Sequence, residues 1–202
     1  MEDGKPEIAV PDGVKAPTKR WAQELATWNK PLLLRFGHEM TGNWYPWSIG
    51  VNGNTAPDFI AAWRHVHALF QAATANQVAF VWAPNVPCEG SPDFQDAFPG
   101  PDTVDCRGID GYNWGLGPSW DTAGNYWTSF VDLYSSAYAQ ARSIAPKRPV
   151  MLAELASSED GGDKAARINQ MSSVRASGPS VPVGVEVSGY FTAGDGLTPD
   201  PP

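Results

Sequence analysis

Two glutamates carry the clearest chemical potential in this sequence. Glu39 follows the run PLLLRF (residues 31–36) and precedes Met-Thr-Gly-Asn-Trp-Tyr-Pro-Trp, so its carboxyl stands at a mouth lined by Trp44, Tyr45 and Trp47. Apolar rings lower the local dielectric and raise a carboxyl pKa, which a proton donor to a leaving oxygen requires. Glu154 directly follows a second apolar run, PVMLA (149–153). Two carboxyls brought to roughly 5 Å can divide the cleavage of an acetal, one donating a proton while the other attacks carbon. Taken singly, Glu39 reads as an exposed loop charge and Glu154 as a carboxylate balancing a helix dipole. The pair, among flat rings that suit pyranose faces, is more informative than either member. His38 is placed to hydrogen-bond either a sugar or the carboxylate beside it.

Other chemistries find less support. His65 and His67 are two apart on a helical run, so their side chains diverge and cannot share a metal as residues four apart do. The HEM tripeptide lacks the second histidine of a zinc peptidase motif. Asp102, Asp105 and Asp110 lack the regular ligand spacing of a calcium loop. Gly111, Gly115 and Gly117 match no phosphate cradle, and no G-x-S-x-G turn is present. No metal and no cofactor are expected. Cys88 and Cys106 leave two readings open: a bridge closing a loop of about 17 residues, worth roughly 3 kcal/mol, or two free thiols.

The elements that must hold these residues follow from pattern. KRWAQELATW (19–28) has helical spacing at Trp21, Leu25 and Trp28, and PDFIAAWRHVHALFQAA (57–73) starts with Pro and Asp and puts Phe59, Ile60, Trp63, Val66 and Phe70 on one stripe. Residues 126–144 read as a further helix. The runs at 31–36, 78–82 (VAFVW) and 149–153 are short and apolar, as in parallel strands covered on both faces, and 104–110 (VDCRGID) is a weaker strand signal among them. Strand, loop, helix, repeated four times without hairpin signals, predicts a parallel α/β architecture. Polar and aromatic residues cluster beyond each strand: His38 and Glu39, Trp82 to Asn85, Tyr112 to Trp114, and Glu154. That is the active-site rim of a TIM barrel.

The bulk composition agrees with a neutral ligand. The 202 residues carry 22 acidic and 14 basic side chains, net charge -8, which leaves no basic patch for phosphates and makes nucleic acid and anionic membranes poor partners. No run approaches the roughly 18 apolar residues of a membrane span, and the N-terminus reads as no signal peptide. Nine Trp, eight Phe and six Tyr often neighbour Gly, Asn or Pro, which points to aromatic loops forming a binding surface.

Four blocks in order, RFGHEMTGNWYPW, VAFVWAPN, VDCRGIDGYNWG and RPVMLAELASSEDGGDKA, resemble glycoside hydrolase family 26, known for β-mannanases. The similarity covers roughly residues 21–166. It implies a (β/α)8 TIM-type barrel and a retaining endo-hydrolase of β-1,4-mannosidic bonds, with Glu39 as acid/base and Glu154 as nucleophile. His38, Trp44, Trp47, Trp82, Tyr112 and Trp114 become candidate sugar contacts, and Tyr112 would hold the Glu154 carboxylate by a hydrogen bond. The implied partner is a β-linked polysaccharide, mannan or β-glucan, bound by a monomer, and relatives of this kind are secreted.

The pattern also departs from the family. Thr41 stands where Asn is common. The first strand-helix units have no counterpart before Trp21, and 202 residues falls short of the roughly 250 of a full barrel, so an incomplete barrel of about the fourth to seventh strands is expected. Three segments follow: a non-matching stretch 1–18, a family-like catalytic part 19–166, and a Ser/Gly/Pro-rich divergent tail 167–202 expected to be loosely ordered. The alternatives are a mixed-linkage β-glucanase or β-xylanase of the same family, or an inactive carbohydrate-binding remnant.

Overall fold

The computed structural model describes residues 12–118 and 120–177. Helix α1 (Asp12–Trp28) starts well before the run at 19–28 that signals it; Ala22 is fully buried and Leu25 packs on the core, while Trp21 and Trp28 keep half their surface in water. Strand β1 (Leu32–Leu34) is only three residues long, because the chain turns at Gly37. Helix α2 (Ala56–Ala72) opens with a reciprocal cap: the Thr55 hydroxyl accepts from the Asp58 N–H, and Asp58 accepts from the Thr55 N–H at 3.0 Å. Its stripe Phe59, Trp63, Val66 and Phe70 is buried, as the spacing predicts.

Strands β2 (Val78–Trp82) and β3 (Cys106–Asn113) are separated by the single turn α3 (Phe94–Ala97). The short strands β4 (Gly115–Leu116) and β5 (Asn125–Tyr126) then pair antiparallel. This hairpin corrects the expectation of an uninterrupted strand-helix repeat. It also delays helix α4 (Phe130–Ile144), capped by Ser129, to four residues beyond the expected start. Strand β6 (Val150–Ser157) runs through Glu154 instead of ending before it. Helix α5 (Lys164–Ser177) replaces the loosely ordered chain expected from Arg167; the rest of that tail, 178–202, lies outside the described residues.

The main sheet has the order β1-β2-β3-β6, all parallel. Each crossover leads to the next strand along, as in a barrel and unlike a doubly wound sheet, whose order reverses. The described residues thus form a TIM-barrel-type arrangement with four of the eight strands that close such a barrel. Alternation along the strands divides two faces. Leu34, Phe80, Trp82, Ile109 and Val150 pack with the helices, whereas Val81, Ala83, Cys106, Met151 and Ala153 form a separate cluster on the opposite, concave face. There, Gly108 has no room for a side chain, since an added Cβ would lie 2.8 Å from that of Ala83 and 3.0 Å from that of Ala153.

On the helix side, Arg107 of β3 is fully buried and donates to the carbonyls of Ala141 and Arg148. A guanidinium on a carbonyl in the last turn of α4 neutralises the negative end of that helix and ties it to the entry of β6. Burial lowers the Arg107 pKa and the nearby Arg142 charge lowers it further.

Both cysteines are free, Cys88 exposed and Cys106 buried, so the bridge reading is set aside. Burial pushes the Cys106 thiol up to about 11, keeping it protonated and unreactive.

Candidate active site

The turn after β1 carries the first carboxyl. Gly37 and Glu39 both have φ +54°, and the Glu39 N–H donates to the Ala83 carbonyl at 2.7 Å, pinning the turn to the end of β2. Left-handed backbone is natural for glycine and strained for glutamate, so surrounding contacts must hold it. One of these is the buried Thr41, whose hydroxyl donates to Asn85 Oδ1 at 2.6 Å. Glu39 is 6 % exposed. Burial raises its pKa, the Trp44 hydrogen bond lowers it, and the Glu154 carboxylate raises it again. That hydrogen bond runs from Trp44 Nε1 to Glu39 Oε2 at 2.7 Å.

Glu154 sits inside β6 at an irregularity. Ile109 pairs with Leu152 but Asp110 pairs with Glu154, so Ala153 is an extra residue. The resulting bulge lets Ala153 and Glu154 both turn from the helix layer, while Leu152 and Leu155 both pack into it. Glu154 Oε2 accepts from the Tyr112 hydroxyl, and its other oxygen lies 2.7 Å from Arg35 Nη2. The same Arg35 nitrogen stands 2.5 Å from Asp110 Oδ2. Burial raises the Asp110 pKa well above its ordinary value, against the pull of Arg35. Burial and the bond to Glu154 raise that of Tyr112, so its hydroxyl stays a donor.

Oxygens of Glu39, Asp110 and Glu154 all lie within 4.8 Å of one another. Among the described residues this is the one acidic group with the spacing of a metal site. Its compensating cation is already part of the chain, because Arg35 bridges two of the three.

The rim residues named from sequence divide into four groups. Tyr112 reaches Glu154 and Trp44 reaches Glu39. His38 and Trp47 join Tyr45 in a cluster, with Tyr45 and Trp47 stacked at 4.4 Å and Trp47 Nε1 donating to the His38 carbonyl. Burial lowers the His38 pKa and the Arg35 charge lowers it further, which favours neutral imidazole. Trp114 lies open to solvent, 5.5 Å from Tyr112. Trp82 is a correction. It is fully buried, edge-on to Phe94 and Phe98, because its position on β2 faces the helices. It is a core residue, not a sugar-facing wall.

Sequence pattern does not single out Arg35 or Asp110 as site residues. The signal at Arg35 is the one charge in the apolar run PLLLRF, which folding tolerates only when the charge is paired.

A curled parallel sheet with two neighbouring carboxyls at its C-terminal rim defines a TIM-barrel-type fold bearing a paired-carboxylate site. The family model of glycosyl hydrolase family 26 matches residues 15–154, and the chain belongs to this family. It is 40 % identical over 156 residues to endoglucanase H of Acetivibrio thermocellus, a match covering 75 % of this chain and 17 % of that protein. The catalytic domain of a family 26 endo-β-1,4-mannanase from Bacillus sp. JAMB-750 has a TM-score of 0.62 at 19 % identity, over 85 % of this chain and 47 % of that one. A family 26 β-mannanase from Bacteroides ovatus gives 0.54 at 18 %, over 72 % and 42 %. This chain spans less than half the length of each of these proteins.

Proposed function

We propose that this chain is an endo-acting β-glycan hydrolase that cleaves with retention of configuration, Glu154 serving as nucleophile and Glu39 as acid/base. The observation that carries this reading is the approach of the Glu39 and Glu154 carboxyls to within 4.8 Å. A retaining pair needs about 5–5.5 Å, whereas an inverting pair leaves roughly 6.5–9.5 Å for a water. The environments of the two groups support the division of labour. Glu39 is buried with its pKa raised, as a proton donor requires. Glu154 is held by Arg35 and Tyr112, both donors to an ionised carboxylate.

In the first step Glu154 attacks the anomeric carbon while Glu39 protonates the departing oxygen, leaving a glycosyl ester on Glu154. Glu39, now ionised, takes a proton from water, and the water's oxygen displaces the ester, restoring both carboxyls. Neutral His38 and the rings of Trp44, Trp47 and Trp114 would contact the sugars on either side.

For the polymer, β-glucan comes first, because endoglucanase H, whose name gives that activity, is 40 % identical over the 156 matched residues. The motif resemblance keeps β-1,4-mannan as the second reading, with β-xylan behind it. A polymeric substrate lies outside cells and implies a secreted enzyme; among the described residues, no helix is long and apolar enough to cross a membrane. The test is reducing-sugar release from barley β-glucan, β-mannan and β-1,3-xylan, with Glu154→Gln as blank. Release from one polymer that vanishes in the variant supports the reading and names the substrate. No release from any, with the chain folded by circular dichroism, leaves a carbohydrate-binding remnant.

A further inference from the structure

Beyond the carboxyls a line of rings continues outward along the β4–β5 hairpin. Tyr112, whose hydroxyl donates to Glu154, lies 5.5 Å from Trp114; Trp114 lies 6.0 Å from Trp120, and Trp120 4.6 Å from Tyr126. The last three are 42 %, 53 % and 39 % exposed. We propose that Trp114, Trp120 and Tyr126 form a distal subsite that holds the β-linked glycan chain where it leaves the carboxyl pair. This rests on the reading of that pair as acting on a polysaccharide.

A contiguous patch of large rings in water marks a binding surface when its geometry is set in advance. Here glycines seat the hairpin on the loop after β6. Gly115, at φ +71°, passes so close that a Cβ would lie 2.2 Å from the Asp160 carbonyl, and a Cβ at Gly162 would lie 2.1 Å from the Trp127 ring. The Thr128 N–H donates to Asn113 Oδ1 at 2.9 Å. At the tip, Asp121 accepts from the N–H groups of Ala123 and Gly124 and, at 2.7 Å, from the Tyr126 hydroxyl. The ring planes turn successively by 35°, 86° and 56°. Such a ridge suits a chain whose sugars rotate along its length better than one flat ligand. Asp121 beside the rings and the net charge of -8 disfavour an anionic surface as occupant.

The experiment is calorimetric titration of the full chain in the Glu154→Gln background, using a β-linked hexasaccharide and a disaccharide of the same sugar, with and without Trp120→Ala. The hexasaccharide should lose roughly tenfold in affinity while the disaccharide is unaffected, and Trp120→Tyr, keeping a ring, should recover most of the loss. Unchanged hexasaccharide affinity in Trp120→Ala, an equal loss for both sugars, or no hexasaccharide binding by the parent overturns the ridge. The two readings fail separately. Absence of turnover by the unaltered chain, with the hexasaccharide loss still present, removes the catalytic reading and leaves the subsite standing.

Discussion

Arg35 and Glu154 belong to opposite edges of the four-stranded sheet, yet their side chains meet at 2.7 Å. In a flat sheet three strand spacings, roughly 14 Å, would separate their backbones. The ion pair therefore depends on curl, and it joins the first and last strands of the sheet. Arg35→Met should leave Asp110 buried without its counter-charge and cost about 3 kcal/mol, the low end for a broken buried pair because Arg35 is partly wet. Arg35→Lys, which keeps one charged nitrogen for the two carboxylates that share Arg35 Nη2, should cost less. Urea unfolding measures both, and an unchanged midpoint in Arg35→Met would show that the pair does not hold the curl.

The pH profile of kcat/KM should report Glu39. With Glu39 in the proposed role of acid its protonated carboxyl is the active form, so activity falls as pH rises through its pKa, and the raised pKa sets that alkaline limb above the ordinary carboxylate range. The Trp44 hydrogen bond favours the ionised form. Trp44→Phe removes it, raises the Glu39 pKa further and should move the alkaline limb to higher pH. A limb that moves down, or stays, contradicts the assignment of the bond.

Gly42→Ala tests the same contact without replacing either partner. An added Cβ would lie 2.6 Å from the Trp44 ring, which is 46 % exposed and free to swing outward. The variant should reproduce the alkaline shift of Trp44→Phe at a stability cost of about 1 kcal/mol, as expected for a small overpacking beside solvent. Equal pH profiles for Gly42→Ala and the parent would mean that the ring stays in place.

Glu39→Ala should separate the two chemical steps. A good aryl leaving group needs no proton, so the first step survives while the second, lacking its base, slows by about 10²-fold or more. A burst of phenol, with a glycosyl ester on Glu154 visible by mass spectrometry, is the expected result. Loss of the burst would instead place the defect before ester formation.

Where sequence pattern succeeded, a single physical rule sufficed. Helix α2 declares itself through Pro57, Asp58 and one apolar stripe, and the four parallel strands through brief apolar runs. The structure brings Glu39, Tyr112 and Glu154 together, although Tyr112 and Glu154 lie within their strands and not beyond the ends. The failures are of two kinds. An apolar run does not reveal which face each residue takes, so Trp82 reads like Trp44 although one is core and the other surface. Irregularity also escapes pattern: the bulge at Ala153 leaves a trace only in the three-residue spacing of Leu152 and Leu155, and the hairpin bearing Trp120 and Tyr126 has strands too short to show a period.

The positive φ at Glu39 gives the fold a reason to prefer another residue there. Left-handed backbone costs a side-chain-bearing residue roughly 1–2 kcal/mol, a penalty glycine escapes. Glu39→Gly should therefore be the more stable of the two truncations when set against Glu39→Ala, though both lack the acid. On the proposed role, a glutamate at this position is a concession of robustness to reactivity, and selection for thermal endurance alone would tend to erase it.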